Sequence, residues 1–448
     1  AEVQPPPLPH RQPPSGPDHP GQPQRPGPKA LPRSLFNQLL HDMPPRLQAG
    51  LVVGDLLAHT DWSAVFVAEH VAWGKVALKC IRRAAMPGGI LAAAAAALNR
   101  TPCQPNGLVA CVYDFELAAN CLYILQECFD CSVGDLENGS PYAPTDAAVR
   151  AVRRLWNGEV MKAAIQQLCE ALQTMHQAGL VHGAIMPNNV LLRREQGPIC
   201  VALAPCWLPV RLGNARHDQY FAPEQIAGGA STAVLEPSTT ATDVFSMGCV
   251  LYNIATSGVH PFARFLENWA AYCDALTSPD PNALVDWNPI GAKSPELAEL
   301  LKMMVTEADR RWSSERVLAH PYFWTEELYA HFYWWANGRK RLMDHMDSEE
   351  CRQKLFWEST FEADTDWRDD VRSATVLQKV SPGLMQVLEE SAYSYANQPD
   401  NPGPSTLLMY TRDVYLQYGT DALMEVLAVF PNLTATTLWS LDVLQRRA

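Results

Sequence analysis

The sequence is short of charge, of long apolar runs and of paired cysteines, and each shortage closes off a class of function. Charged residues make up only 19% of the 448, and the formal net charge is −13. An acidic surface repels phosphates, which excludes a broad electrostatic grip on nucleic acid and leaves RNA contacts only as local ones. The longest apolar run, Ile90 to Leu98 with six alanines inside it, falls far short of the roughly 20 residues needed to cross a bilayer. No membrane segment is expected in this chain. No basic stretch followed by an apolar one opens it, so no signal peptide is expected either. Twelve cysteines lie between Cys80 and Cys351 without paired spacing. The close pair Cys128 and Cys131 lacks the second pair that a zinc site needs, so no metal site is expected. The cysteines are expected to be reduced, structural thiols in a cytosol-like compartment, with a redox role for that pair as the minor alternative.

What is present points to a folded protein of two or three domains, because 47% apolar content in a chain of this length can fill more than one core. Residues 1–33 are mostly Pro, Gly, Gln and Arg with few large apolar side chains, a composition that cannot offset the entropy of ordering. A disordered leader is expected over residues 1–44. Short β-rich runs follow at Leu51 to Val53, Ala64 to Glu69 and Lys75 to Cys80, then at Leu108 to Phe115 and Cys121 to Gln126. Beyond Ala147 the spacing turns helical: Val160, Ala164, Ile165, Leu168, Leu172 and Met175 fall three or four apart. Loop composition at Arg211 to Thr242 precedes helical patterns at Asp243 to Ala255, Ser294 to Val305 and Glu326 to His345. Further helical spacing occupies Val371 to Gln378, Leu384 to Ser391, Ser405 to Tyr418 and Ala422 to Val429. A β-rich lobe thus precedes a helical lobe, and the last third is mostly α.

The segment Leu180-Val181-His182-Gly183-Ala184-Ile185-Met186-Pro187-Asn188-Asn189-Val190-Leu191 resembles the catalytic loop of protein kinases. Other landmarks stand in kinase order: Val76-Ala77-Leu78-Lys79, Ala222-Pro223-Glu224, the Asp243 to Gly248 segment, and Arg311, which suits the arginine that pairs with the glutamate. The resemblance implies a bilobal α+β kinase fold over residues 45–325. It also shows what has been lost. A kinase uses a loop aspartate to orient the hydroxyl nucleophile, and Ala184 stands there. Met186 replaces the lysine that offsets phosphate charge. The metal-binding Asp-Phe-Gly motif is replaced by Pro205-Cys206-Trp207, which leaves no carboxylate for magnesium. Gly54 is followed by Asp55, Leu56, Leu57, Ala58 and His59 in place of a glycine-rich loop, and between Ile81 and Tyr113 there is no acid to pair with Lys79. Lys79 and Asn189 persist. Lys79 could equally be an exposed strand lysine, and Asn189 a residue that hydrogen-bonds its own loop. A weak nucleotide site at Lys79, Glu127 and Cys128, for ATP or ADP without magnesium, stays open, because the hinge at Gln126 to Cys128 presents backbone groups to a ring.

The kinase-like part runs through Pro321-Tyr322-Phe323-Trp324 into the next helical pattern without a linker. This junction resembles that of the inositol-requiring enzyme and ribonuclease L family, in which an all-α kinase-extension nuclease (KEN) domain follows; Asp366-Trp367-Arg368 and Phe430-Pro431-Asn432-Leu433 resemble family segments too. The resemblance implies a KEN-type domain over 326–448, a homodimer or pairing with a related kinase-endoribonuclease, and metal-free RNA cleavage by His, Tyr, Arg and Asn. Here Arg412 matches the arginine, Asp413 stands at the asparagine and Gln417 at the histidine, and no histidine occurs after His345. Gln is no general acid near neutral pH, and Asp413 adds negative charge beside the retained cation. Arg412 could equally be a helix-surface residue paired with Asp413. Trp324, Trp334, Trp335 and Trp367 are expected in the core. The resulting expectation is a catalytically impaired scaffold, cytoplasmic or on the cytosolic face of the endoplasmic reticulum. The alternatives are an active metal-free endoribonuclease driven by a pseudokinase platform, and a kinase-fold scaffold unrelated to RNA.

Overall fold

The computed structural model describes residues 38–59, 63–83, 95–96, 98–99, 107–138, 143–194, 199–205, 219–226, 238–337, 340–346, 348, 351, 404–418 and parts of 423–437. The leader at 1–37, Cys206 and Trp207, Asp366 to Arg368 and the helical patterns between 371 and 391 lie outside them.

Five β-rich runs become an antiparallel sheet in the order β1-β2-β3-β5-β4: β1 (Leu51–His59), β2 (Ser63–His70), β3 (Gly74–Arg82), β4 (Val112–Leu117) and β5 (Cys121–Glu127). β5 is buried at every position, and its alternation explains why. Leu122 and Ile124 face the large core shared with the helices, while Cys121, Tyr123 and Leu125 face a second cluster on the opposite side of the sheet. Side chains of period two thus serve two cores. The second core is closed by Leu39 from a helical stretch at residues 38–41, Met43 from the bend that follows it, and Leu47 from α1 (Pro45–Gln48). The Tyr123 hydroxyl donates to the Leu39 carbonyl at 2.8 Å. Each such buried Leu or Met contributes about 2 kcal/mol. Residues 38–44, inside the span assigned to the leader, therefore belong to the folded unit.

A small sheet of β6 (Cys131–Ser132), β7 (Val190–Arg194) and β8 (Ile199–Leu203) borders the helical lobe. That lobe comprises α2 (Val133–Asn138), α3 (Ala143–Leu155), α4 (Gly158–Gln177), α5 (Pro223–Ile226), α6 (Thr240–Ala255), α7 (Trp269–Leu276), α8 (Asn288–Gly291), α9 (Pro295–Met304) and α10 (Ser314–Leu318). In α4 the Asn157 side chain accepts the Val160 N–H at 3.0 Å, satisfying a first-turn donor. The residues at helical spacing from Ala164 to Met175 are buried. α6 opens on a reciprocal Thr239–Thr242 capping box and is buried continuously from Thr242 to Ile254, as a helix apolar all round must be. Gly248 lets α9 come close: a Cβ there would stand 2.8 Å from Met304 Cβ and Val305 Cγ2.

After the turn at Pro321–Phe323, the helical pattern expected from Glu326 to His345 is occupied by α11 (Glu326–Asn337) and α12 (Lys340–Met346). Together with α13 (Pro404–Tyr418) they form a core of their own around Tyr329, Tyr333, Leu342, Leu407, Tyr410 and Val414. The junction is tied on both sides. Trp324 donates its indole N–H to the Ala319 carbonyl at 2.9 Å and packs edgewise on Tyr329, whose hydroxyl donates to the Pro321 carbonyl at 2.9 Å. Trp324 is thus partly buried at the junction, while nothing is described of the side chains of Trp334 and Trp335. Two further expectations change. The strand expected from Leu108 begins at Val112, preceded by a single bridge from Val109 to Leu203. Cys111 is disulfide-bonded, a departure from thiols throughout, whereas Cys80, Cys121, Cys128 and Cys131 among others are free.

Candidate functional site

The loop between α4 and β7 is held from below by one carboxylate. Asp243, at the start of α6 and 1% exposed, accepts the backbone N–H of His182 on Oδ2 at 2.6 Å and of Gly183 on Oδ1 at 2.8 Å. Its Oδ2 also lies 3.2 Å from His176 Nε2, and His176 Nδ1 lies 3.0 Å from Ser314 Oγ. Gly183 has φ +73°, a left-handed conformation that suits glycine. His182 is fully buried; its Nδ1 accepts the Ala184 N–H at 3.2 Å and its Nε2 faces the Ala204 carbonyl at 2.8 Å. That arrangement calls for the neutral Nε2–H tautomer, and burial pushes the imidazole pKa down accordingly. Asn189 donates from Nδ2 to the Ala184 carbonyl at 2.8 Å and accepts the Ala204 N–H on its own carbonyl at 2.8 Å.

The loop's other face carries no chemistry to match. Ala184 presents a methyl group, Met186 is buried in the large core at 5% exposure, and Pro205 is buried with neither a side-chain ligand nor an N–H. The recess beside Ala184 and Met186, walled by Tyr220, Phe221 and Ser246, has about 10 Å³, barely room for one water. The expected pair of Glu224 with Arg311 forms as a fork, at 2.5 and 3.1 Å. Arg311 donates further to the Thr306 and Ala241 carbonyls and stacks over Phe245 at 5.0 Å.

Above the loop, a cleft of about 170 Å³ separates the five-stranded sheet from the helical lobe. Lys79 on β3 lines it and is only 7% exposed, so the alternative of an exposed strand lysine does not hold. Among the described residues it has no ion pair. Asn189 lines the cleft while bonding its own loop. Glu127 also lines it, but its side chain is engaged: Oε1 pairs with Arg193, whose guanidinium lies over Phe129, and Oε2 accepts the Cys111 N–H at 3.3 Å. The Glu127 N–H donates to the Cys111 carbonyl at 2.8 Å, so this hinge donor is used internally. Cys128 is not among the lining residues, and burial pushes its thiol pKa up. Gln126 of the hinge lines the cleft, and the structure adds Asp130, Ser132 and Asp135. Asp135 accepts both the N–H and the hydroxyl of Ser132, at 2.8 and 2.7 Å, and burial raises its carboxyl pKa. Among the described residues no group of three His, Cys, Asp or Glu side chains could hold a metal ion.

In the C-terminal helices Arg412 pairs with its neighbour, Nε donating to Asp413 Oδ1 at 2.6 Å. Gln417 lies on the same helix, α13; its side chain is outside the described residues. Arg412 and Asp413 are both partly exposed.

Residues 107–323 match the protein kinase domain, and they contain the loop, its Asp243 clamp and the Glu224–Arg311 fork. The chain carries a protein kinase domain. Its sheet supplies the antiparallel N-lobe and its helices the C-lobe. Over 242 residues, half of this chain and 25% of the relative, it is 26% identical to the serine/threonine-protein kinase/endoribonuclease IRE1 of Oryza sativa subsp. japonica. Over 185 residues, 37% of this chain and 18% of the relative, it is 27% identical to the serine/threonine-protein kinase/endoribonuclease ire-1 of Caenorhabditis elegans. It is 25% identical over 233 residues, 45% of this chain and 20% of the relative, to the sensor for unfolded proteins in the ER ire1 of Schizosaccharomyces pombe. The matched stretches thus span a quarter or less of each relative's length. Among the described residues of this kinase-domain chain, no helix is long and apolar enough to cross a membrane.

Proposed function

We propose that this chain is a pseudokinase joined to a helical extension of the KEN type, acting as a dimerising or regulatory scaffold whose phosphotransfer and nuclease chemistries are both impaired. The observation that carries the reading is the contrast within one loop. Asp243 clamps the backbone of His182 and Gly183, so the loop has the form that phosphoryl transfer needs. The positions that would do the transfer are a methyl group at Ala184 and a proline at 205, neither of which orients a hydroxyl or binds magnesium. In the extension, the Arg412–Asp413 pair neutralises the cation that a cleaved phosphate would require, and Gln417 stands where the family resemblance puts a general acid. The proposed partner is a second copy of this chain or a related kinase-endoribonuclease. The proposed setting is the cytosol or the cytosolic face of the endoplasmic reticulum, and any nucleotide in the cleft is bound without magnesium.

Two assays on the purified dimeric chain test this. Incubation with a stem-loop RNA without magnesium, beside an Arg412→Ala control, is expected to leave the RNA intact. Cleavage that disappears in the control overturns the reading in favour of an active endoribonuclease on a pseudokinase platform. Incubation with magnesium and γ-labelled ATP is expected to label neither the chain nor an added peptide.

A further inference from the structure

Away from the cleft, the corner of the five-stranded sheet at the turn between β2 and β3 carries an open apolar surface. Trp73 belongs there to a near-parallel ladder of rings, stacking on His70 at 4.0 Å and 20° and on Tyr113 of β4 at 5.3 Å and 10°. Trp73 is 38% exposed, Val71 in the same turn 87%, and Val52, where β1 pairs with β2, 71%. Of the seven large apolar side chains exposed among the described residues, these three gather at one corner, and a contiguous patch of that kind marks an interaction site. The corner also offers two donors. Among the described residues neither the Trp73 indole N–H nor the Tyr113 hydroxyl has a hydrogen-bond partner, and neither atom is buried. Aromatic rings beside free donors suit a polyproline II segment, whose proline rings pack on aromatic surfaces and whose carbonyls have no internal partner.

We propose that this corner is the docking surface for the chain's own proline-rich segment from Pro5 to Arg11, Pro-Pro-Pro-Leu-Pro-His-Arg, bound as a polyproline II helix. Its prolines pack on the ring ladder, and its carbonyls accept from Trp73 Nε1 and the Tyr113 hydroxyl. Three observations favour this occupant. The described residues begin at Gln38 on the face of the sheet that carries the ladder, because Leu39, Leu40 and Tyr113 all pack on the same cluster and Arg46 pairs with Asp114, next to Tyr113. The 26 residues from 12 to 37 extend to about 80 Å at the polyproline II rise, more than the tether needs, and such a tether holds its motif at an effective concentration of the order of millimolar. Residues 1–37 also carry Arg11, Arg25, Lys29 and Arg33 against Glu2 and Asp18, in a chain of net charge −13, so the field of the remainder attracts them.

Fluorescence polarisation of a labelled peptide copying residues 3–14 tests the proposal on the full chain. A chain carrying Pro6→Ala, Pro7→Ala and Pro9→Ala no longer fills its own corner, so it should bind the peptide at least tenfold more tightly than the unmodified chain does. Adding Trp73→Ala to that variant should weaken the peptide at least tenfold. Adding Tyr113→Phe, which keeps the ring and removes only the hydroxyl, should weaken it about fivefold. In the unmodified chain, the initial rate of tryptic cleavage after Arg11, taken relative to cleavage after Lys29, should rise about fivefold with Trp73→Ala and stay constant on dilution. The proposal is overturned if the peptide binds neither chain, if it binds both equally, or if Tyr113→Phe and Trp73→Ala leave its binding unchanged. A cleavage ratio that rises on dilution would place the segment on a second copy and overturn docking within one chain.

Discussion

The two faces of the loop at His182–Asn189 have had different fates. Its underside keeps a satisfied polar network, in which Asp243 receives two backbone N–H groups and approaches His176. Its cleft side has become apolar or inert at Ala184, Met186 and Pro205. The difference separates two demands usually met by one motif. Buried polar groups must be paired whatever the protein does, so the underside is required by folding alone, whereas nothing in folding requires a base or a metal ligand above it.

The comparison breaks most visibly at Asp243. Asp243→Ala leaves the His182 and Gly183 N–H groups buried without an acceptor, and two such losses cost about 4 kcal/mol together. Asp243→Asn keeps one acceptor oxygen and should cost about half as much. Urea denaturation of the three proteins checks the order. Equal stability would mean that the underside network is dispensable.

A second carboxyl, the half-buried Glu137 on α2, contrasts with the fully paired Asp243. Among the described residues its Oε1 has no partner, nor has the neighbouring Asn253 Oδ1, and burial raises its pKa to about 7 against the opposing hydrogen bond with Asn253. The folded state therefore keeps a proton that the unfolded chain releases at its ordinary, lower pKa. Below that lower value both states are protonated; as pH rises from it towards 7, stability falls. Glu137→Gln is isosteric and can donate to Asn253, so it should remove the fall. The drop in Tm between pH 5 and pH 8 should shrink by about 3 °C in the variant. An unchanged drop would place the titration elsewhere.

How much of this was legible in the sequence depends on the distance each inference had to cover. The loop was legible because a short contiguous motif fixes local backbone, the Glu224–Arg311 pair because the kinase resemblance supplies it, and the lack of an ion pair at Lys79 among the described residues needed only the absence of acid between Ile81 and Tyr113. The reading of Asn189 as a residue bonding its own loop matches the bond to Ala184. Less local features were hidden. Leu39, Met43 and Leu47 cover the sheet from beside a Pro-rich stretch whose composition gives no sign of packing. The Glu127–Arg193 pair joins residues far apart in the chain. β1 runs on through Asp55 to His59, because pairing with β2 overrides the loop character of Gly54 and Asp55.

The smallest expected effect sharpens the comparison from the cleft side. Ala184→Asp returns a carboxylate to the position that a kinase uses to orient its nucleophile. Ala184 is only partly buried, and its N–H and carbonyl bond to His182 and Asn189 whatever its side chain, so the stability change should stay within about 1 kcal/mol. No phosphate transfer should appear, because proline at 205 still supplies no magnesium ligand and Met186 still lies in the core. Urea denaturation and γ-label transfer, read on the same variant, decide the matter. A large destabilisation would show that the cleft side is also held by folding, and transfer from this single change would show that the chemistry lies one residue away from recovery.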